Sequence, residues 1–278
     1  MRHRWAWNLS WYVLLLILSL PFIFPFWWMI TSSLKTASEV FAFPPTLLPP
    51  SWQWTNFVEV FAFQPFARQY FNSLYIAVSV TVLTILISAM AGYAFARVRF
   101  PLRNVIFLVL LSALMMPSEV TIIPNFFLFS ALGWLDNHIP LILLPVFGAN
   151  GVVGTFLMRQ FFVQLPTALE DAAMIDGLGR FGIFWRIALP LARPIMAALA
   201  ILSFLYSWNL FLEPLVFINS QHLFTLPLAL NSFTDNYGLP IWHLQLAATT
   251  LAVVPVLAIY VLAQRHVVQS FTMSGVKG

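Results

Sequence analysis

The sequence contains no cysteine, and only 8% of its 278 residues are charged. Without cysteine there is no disulfide, no thiolate metal site and no cysteine nucleophile. Soluble domains carry roughly 25% charged residues, so this chain has too few ionic groups to cover a water-facing surface. Acid is scarcer than base, with 9 Asp and Glu against 13 Lys and Arg. Five histidines (His3, His138, His222, His243, His266) have no i, i+4 pairing, so no metal site is expected. What is abundant is apolar: 61% hydrophobic and 17% aromatic residues, with a mean hydropathy of +0.88. This composition excludes a soluble globular enzyme and a disordered chain. Much of the polypeptide belongs in lipid.

A helix needs about 20 apolar residues to cross roughly 30 Å of hydrocarbon. Apolar runs predict six spans, about 10–31, 72–96, 104–125, 139–159, 194–213 and 243–264. Glu119 interrupts the third, which is kept because 120–129 extends it. The run 214–234 is read as loop, broken by Asn219-Ser220-Gln221-His222, Pro227 and Asn231-Ser232. With the N-terminus inside, eleven basic residues then face the cytoplasm and only Lys35 and Arg68 lie outside. The positive-inside rule therefore favours six spans with both termini cytoplasmic. It also explains a pI near 9.7 without nucleic acid. The first stretch exceeds 20 residues, contains Pro21 and Pro25 and lacks an A-x-A site, so an uncleaved helix is expected rather than a signal peptide. No repeat or low-complexity linker divides the chain. The expected fold class is all-α and integral to the membrane, one domain over 1–278.

Ser88, Gly92 and Ala96 form a small-residue stripe on the second span, and Gly148, Gly151 and Gly154 offer the same on the fourth. Such stripes let backbones approach closely. Polar residues at membrane depth are costly and point to a pathway. Asn72, Ser73, Glu119, Asn125, Asn209 and Glu213 are the candidates, with Trp208 beside Asn209 able to stack on a sugar face. Interhelical hydrogen bonding explains the same residues without substrate.

The longest cytoplasmic connection, 159–193, reads Pro166-Thr167-Ala168-Leu169-Glu170-Asp171-Ala172-Ala173-Met174-Ile175-Asp176-Gly177 at its core. Thr167 and Glu170 have capping-box spacing, so a helix is expected from about Ala168, ended by Asp176-Gly177. A second short helix over about 181–188 presents Phe181, Phe184 and Trp185 before Leu189-Pro190 stops it. These two helices fit either docking of a soluble partner or an amphipathic segment on lipid. Gly177-Leu178-Gly179-Arg180-Phe181-Gly182 satisfies G-x-G-x-x-G by letter, but a helix precedes it and the next acid is Glu213, so it is no dinucleotide fingerprint. A P-loop is absent.

The loop resembles the EAA motif of ABC importer permeases: Asp171-Ala172-Ala173, then Gly177, then Ile187-Ala188-Leu189-Pro190, with the family spacing intact. Asp171 replaces the usual Glu, and Leu178-Gly179 depart from the common small residue and Ser/Thr. Met116-Pro117-Ser118-Glu119-Val120, Ile123-Pro124, Phe156-Leu157-Met158-Arg159-Gln160-Phe161-Phe162, Trp208-Asn209 and Ser274-Gly275-Val276-Lys277-Gly278 resemble the carbohydrate-uptake branch. Within it, the chain is similar to the second, maltose-type permease subunit, with glycerol-3-phosphate permeases as near relatives; the first 70 residues match loosely. The resemblance implies a type I permease fold in the inner membrane of a prokaryote. The expected partners are a second permease subunit, an ATPase dimer holding ATP and Mg, and an extracytoplasmic solute-binding protein. It implies no catalysis and no cofactor in this chain. Glu170, Asp171, Ala172, Ala173, Asp176 and Gly177 would dock on the ATPase, with Ser274, Gly275, Val276, Lys277 and Gly278 a further contact. The expected cargo is a sugar or polyol. Alternatives are glycerol-3-phosphate or a glycerophosphodiester, and, outside the class, an ATP-independent secondary transporter. Apart from Arg159 at the very end of the fourth, no Lys or Arg falls within a predicted span, which favours a neutral sugar.

Overall fold

The computed structural model describes residues 2–275, with side-chain surroundings for 11–261. Helices account for most of it, and among the described residues the β-structure is one bridge between Thr234 and Pro240. The chain opens with α1 (Arg2–Ser33), then two short helices, α2 (Ala37–Val40) and α3 (Thr55–Phe63), then α4 (Phe66–Arg97). A 3₁₀ turn separates α5 (Arg103–Ser112) from α6 (Ser118–Ala131), and Gly148 alone separates α7 (Ile139–Phe147) from α8 (Ala149–Gln164). Three short helices follow, α9 (Thr167–Ile175), α10 (Arg180–Ile183) and α11 (Leu189–Leu191), and lead into α12 (Arg193–Trp208). α13 (Leu212–Phe217) and α14 (Leu226–Asn231) precede the longest helix, α15 (Trp242–Gly275).

Four of the six expected spans are single stretches long and apolar enough to cross a membrane: Trp11–Ser33, Phe66–Arg97, Ile139–Gln164 and Trp242–Val261. The other two are bent. The stretch expected as one helix over 104–125 is instead α5 and α6, turned by 101° across the break. Pro117 disfavours helical backbone at the residue before it, and Met116 is accordingly extended, at φ −92° and ψ 115°. The span expected over 194–213 is α12, which meets the preceding Arg180–Leu191 segment at 74° and stops at Trp208. There the Asn209 amide donates to the Leu205 carbonyl at 2.7 Å, a side-chain bond that competes with helix continuation. Glu213 therefore lies beyond the span, on α13.

Contacts divide the chain into two compact units, one of residues 1–66 and 229–254, the other of 67–228 and 255–278. In the first, α1 shows no buried side chain over 11–27, as suits a helix whose surroundings are hydrocarbon. Its end is fixed by Lys35, which is fully buried, donates to the Thr46 carbonyl at 2.7 Å and lies 4.4 Å over the Trp28 ring. Asn56 donates to the Ser33 and Lys35 carbonyls at 2.8 and 2.9 Å, which closes the turn after α1.

In the second unit the small-residue stripe packs α4 on α8. A side chain on Gly92 would meet Met158 Cβ at 2.7 Å, and one on Gly154 would meet Ser88 Oγ at 2.5 Å. That hydroxyl donates to the Gly151 carbonyl at 3.1 Å. Gly148 and Gly151 serve differently: an added Cβ there would strike carbonyls of α7, those of Leu144 and Val146, so these two glycines shape the α7–α8 break. A buried polar chain crosses three helices, Ser203 donating to Asn150 Oδ1 and Asn150 Nδ2 to Thr84 Oγ1, both at 3.2 Å. Below it Tyr93, Met158, Phe162, Phe184, Ala188 and Leu199 form an apolar core. This core seats the loop helices.

Candidate functional site

The segment 166–191 is built outward from that core. Phe184 packs on Tyr93 with ring centres 5.2 Å apart, and Tyr93 meets Phe162 edge-on at 5.4 Å. Ile183, Phe184 and Ala188 are buried. Where Leu189-Pro190 was expected to stop the second helix, the backbone instead widens to a π-helix over Phe184–Ala188 and runs on into α11. Proline lacks an N–H and its ring collides with the carbonyl four residues back. The wider turn absorbs this, with the Leu189 N–H donating to Phe184 O.

α9 starts at Thr167 behind an extended Pro166, with no side-chain cap. The expected Thr167–Glu170 capping box does not form, because Glu170 turns to Arg97, Oε1 to Nε 3.3 Å. A full opposite charge outcompetes a neutral backbone donor. The far end is as the sequence predicts. Gly177 N–H donates to Met174 O at 3.0 Å and Leu178 N–H to Ala173 O at 2.9 Å, the double bond of a Schellman motif. It requires a left-handed residue, and Gly177 supplies φ +84°.

The six expected docking residues thus share one capped helix and its turn, but they do not face one way. Asp171, Ala172, Asp176 and Gly177 are exposed; Ala173 is buried and Glu170 half-buried. Exposed with the two aspartates are Leu169, Met174 and Ile175, the last at 87%. Phe181 and Trp185, edge to face at 6.0 Å, extend the apolar surface. Apolar side chains rimmed by carboxylates have the character of a protein-binding surface. Of the C-terminal candidates, Val276, Lys277 and Gly278 lie outside the described residues. Ser274 and Gly275 are described only as backbone at the end of α15.

The expected pathway residues are dispersed. Asn72 Nδ2 donates to the carbonyls of His222 and Phe224, both at 3.0 Å, and Ser73 Oγ accepts from Leu226 N at 2.6 Å. Both side chains pin the 221–226 loop. Trp208 is buried, stacked on Phe204 at 5.4 Å and edge-on to Tyr70 at 5.8 Å, so neither ring face is open. Asn209 is exposed with its amide on Leu205, and Asn125 is half-buried in α6. Glu119 is exposed on the first turn of α6, and Glu213 is buried on the first turn of α13. These two carboxylates and Tyr206 lie close enough to interact electrostatically.

Sequence reasoning missed two features. One is the Thr84–Asn150–Ser203 chain, whose members are mild polar residues in apolar runs. The other is Arg97, counted there only for its charge. It donates from Nε and Nη2 to the Phe162 carbonyl at 2.9 and 2.6 Å, and from Nη2 to the Leu165 carbonyl. Its own carbonyl accepts from Arg180 Nη1 at 3.2 Å.

Comparison with known proteins gives the same picture along the chain. The model of a family described as "Binding-protein-dependent transport system inner membrane component" matches residues 84–273. The arabinooligosaccharides transport system permease protein AraQ of Bacillus subtilis is 35% identical over 95% of this chain and 93% of its own. The sn-glycerol-3-phosphate transport system permease protein UgpE of Yersinia enterocolitica is 34% identical over 95% of both chains. The inner membrane ABC transporter permease protein YcjP of Escherichia coli is 33% identical over 92% of this chain and 91% of its own. Among solved structures, a bacterial ABC transporter involved in import of the acidic polysaccharide alginate matches at a TM-score of 0.79 and 21% identity. The match covers 95% of this chain and 98% of that one. At that identity the likeness concerns the fold.

Proposed function

Because the chain belongs to the family of inner membrane components of binding-protein-dependent transport systems, we propose that it works as one of two unlike permease subunits in an ATP-driven importer. It is a multi-pass inner membrane permease of the carbohydrate-import type, a transport subunit and not an enzyme. An ATPase and a solute-binding protein are its partners in general terms. Our reading is more specific: an ATPase dimer on the cytoplasmic side, a second and different permease beside it, and the binding protein opposite. ATP and Mg reside in the ATPase. Six spans with both termini cytoplasmic fit the distribution of basic residues.

One observation carries the mechanism, the capped helix α9 with its exposed apolar and acidic surface. Leu169, Met174 and Ile175 enter a groove of the ATPase, while Asp171 and Asp176 meet basic groups there and set register more than affinity. Ala173 and Glu170 hold the helix from behind. Closure of the ATPase on ATP displaces α9, and the aromatic seat under Tyr93 and Phe162 passes that displacement to α4 and α8. The bent pairs are then the movable parts, since two packed helices with small-residue contacts can shift between discrete arrangements. Ser274–Gly278 is a second contact on the ATPase. The cargo is a neutral oligosaccharide or polyol, supported by the scarcity of Lys and Arg in the four unbent spans, where Arg68, Arg97 and Arg159 all stand toward the ends.

The test is co-purification from the native operon in mild detergent, followed by ATPase assays with the loaded binding protein. A stoichiometric ATPase, a second permease and hydrolysis stimulated by an oligosaccharide-loaded binding protein are the expected result. Stimulation by a glycerol phosphate alone would move the cargo to the alternative class. A chain that purifies alone and moves solute in liposomes without ATP would overturn the reading.

A further inference from the structure

The ion pair between α4 and α9 has a role that docking alone does not explain. Arg97 is the last residue of a 32-residue helix, and its side chain is only 9% exposed. Its guanidinium holds the Phe162 carbonyl through two nitrogens and the Leu165 carbonyl through one. These carbonyls belong to the last turn of α8 and the linker to α9. Helix ends leave such acceptors unsatisfied, and a cation there also meets the negative end of the dipole. The planar fork of arginine can serve several acceptors from one position. Glu170 Oε1, shielded from water in the first turn of α9, lies 3.3 Å from Nε, whose hydrogen goes to the Phe162 carbonyl, so the two are joined by charge and not by a hydrogen bond. Arg180 Nη1, from α10, caps the Arg97 carbonyl. One residue at the end of a membrane helix therefore grips α8, α9 and α10 together.

We propose that Arg97 and Glu170 form a strut that makes α9 move as one body with the end of α4, so that ATPase closure becomes helix displacement rather than bending of the Leu165-Pro166 linker. Arg97 is a positioning residue: it acts through α9, not on cargo. The proposal rests on the reading of α9 as the docking helix and divides its two adjacent carboxylates. Asp171 faces outward to the partner, and Glu170 faces inward to the strut. Without the pair, α9 is tied to this chain by its linker, its Schellman turn and the burial of Ala173, all of which allow it to tilt.

The experiment uses the assembled transporter in proteoliposomes and reads ATP hydrolysed per solute imported, together with the amount of ATPase that co-purifies. Glu170→Gln removes the charge pair but leaves the carbonyl bonds of Arg97 intact, so folding is preserved. It should retain the ATPase and raise the ATP cost per solute about tenfold. Arg97→Lys keeps a cation but loses the fork, and should not restore coupling. The Arg97→Gln/Glu170→Gln double variant should be no worse than Arg97→Gln alone. Coupling unchanged in Glu170→Gln would overturn the strut, as would loss of the ATPase from that variant, which would make Glu170 a docking group. Asp171→Arg separates the two ideas. Release of the ATPase by Asp171→Arg beside normal coupling in Glu170→Gln retires only the strut, whereas an Asp171→Arg complex that stays assembled and coupled retires the docking reading itself.

Discussion

Gly177 is a position where a single atom matters. Its φ of +84° is one that residues with a Cβ rarely adopt, yet among the described residues nothing beyond its sequence neighbours lies within 4 Å of where that Cβ would be. Gly177→Ala should therefore cost about 1 kcal/mol through backbone strain and leave the loop folded. Gly177→Leu should fold too, and lose ATP-dependent uptake at least tenfold, because the added bulk projects toward the ATPase; full uptake by that variant would count against docking. Asp136 shows the opposite case, a side chain committed to its own chain. It sits at φ +52° and accepts from the Asn219 and Ser220 amides at 2.9 and 2.8 Å. The Ser220 hydroxyl, then the backbone amides, hold its carboxyl below the usual carboxylate range. A depressed pKa means the stabilisation is complete above that range and is lost as pH falls through the lowered value. Asp136→Ala should cost about 1 kcal/mol in neutral buffer, at the low end for charged hydrogen bonds because the group is solvated. The difference between variant and parent should shrink below pH 4, as thermal melts in detergent will register. Residue chemistry of this kind was only partly legible. Asn72 and Trp208 were conspicuous as polar and aromatic residues in an apolar run, but their partners are a carbonyl 150 positions away and rings from two helices. No local pattern encodes either.

At the scale of elements, hydrophobic runs located the four unbent spans and the two bent pairs, because about 20 apolar residues have few soluble alternatives. The stop of α9 was equally plain, since Asp176-Gly177 ends a helix by backbone geometry alone. What periodicity could not reveal is where a span bends. Pro21 and Pro25 are carried through α1 without a break, while Pro117 and its neighbours open a 101° turn. The difference is context: α1 is exposed around both of its prolines, whereas Pro117 lies in extended backbone just ahead of α6, which restarts at Ser118 with Glu119 in its first turn. Likewise the capping box of α9 was read correctly as a pattern and lost to Arg97, a competitor 73 positions distant. The small-residue stripe predicts a steep steric response. Gly92→Leu must displace Met158 and the Arg159 backbone, within 3.0 Å of the new Cβ, and should reduce folded, membrane-extractable protein severalfold by fluorescence-detected gel filtration. Met158→Ala in the same chain should recover little of it, because alanine keeps the Cβ and the backbone atoms that the new side chain meets.

For the molecule as a whole, the prediction is dependence. With its ATPase, second permease and binding protein in liposomes, the chain should support solute uptake that stops when ATP is withheld. In liposomes alone it should move nothing, and radiolabelled sugar uptake distinguishes the two. The 101° break also bears on how the chain enters the bilayer during synthesis. α5 and α6, at 10 and 14 residues, rise only about 15 and 21 Å, so neither arm alone reaches across the hydrocarbon. Glu119, in the first turn of α6, adds the penalty of a carboxylate to the segment the translocon samples. That segment should be retained poorly when presented alone and well when α7 and α8 follow it, because the later, strongly apolar span Ile139–Gln164 draws its neighbour in. Reporter fusions truncated after residue 131 should show mixed topology, and fusions after residue 164 a single one. With six spans, the bend at Pro117 thus makes the third crossing a borrowed one, assembled only when the next has arrived.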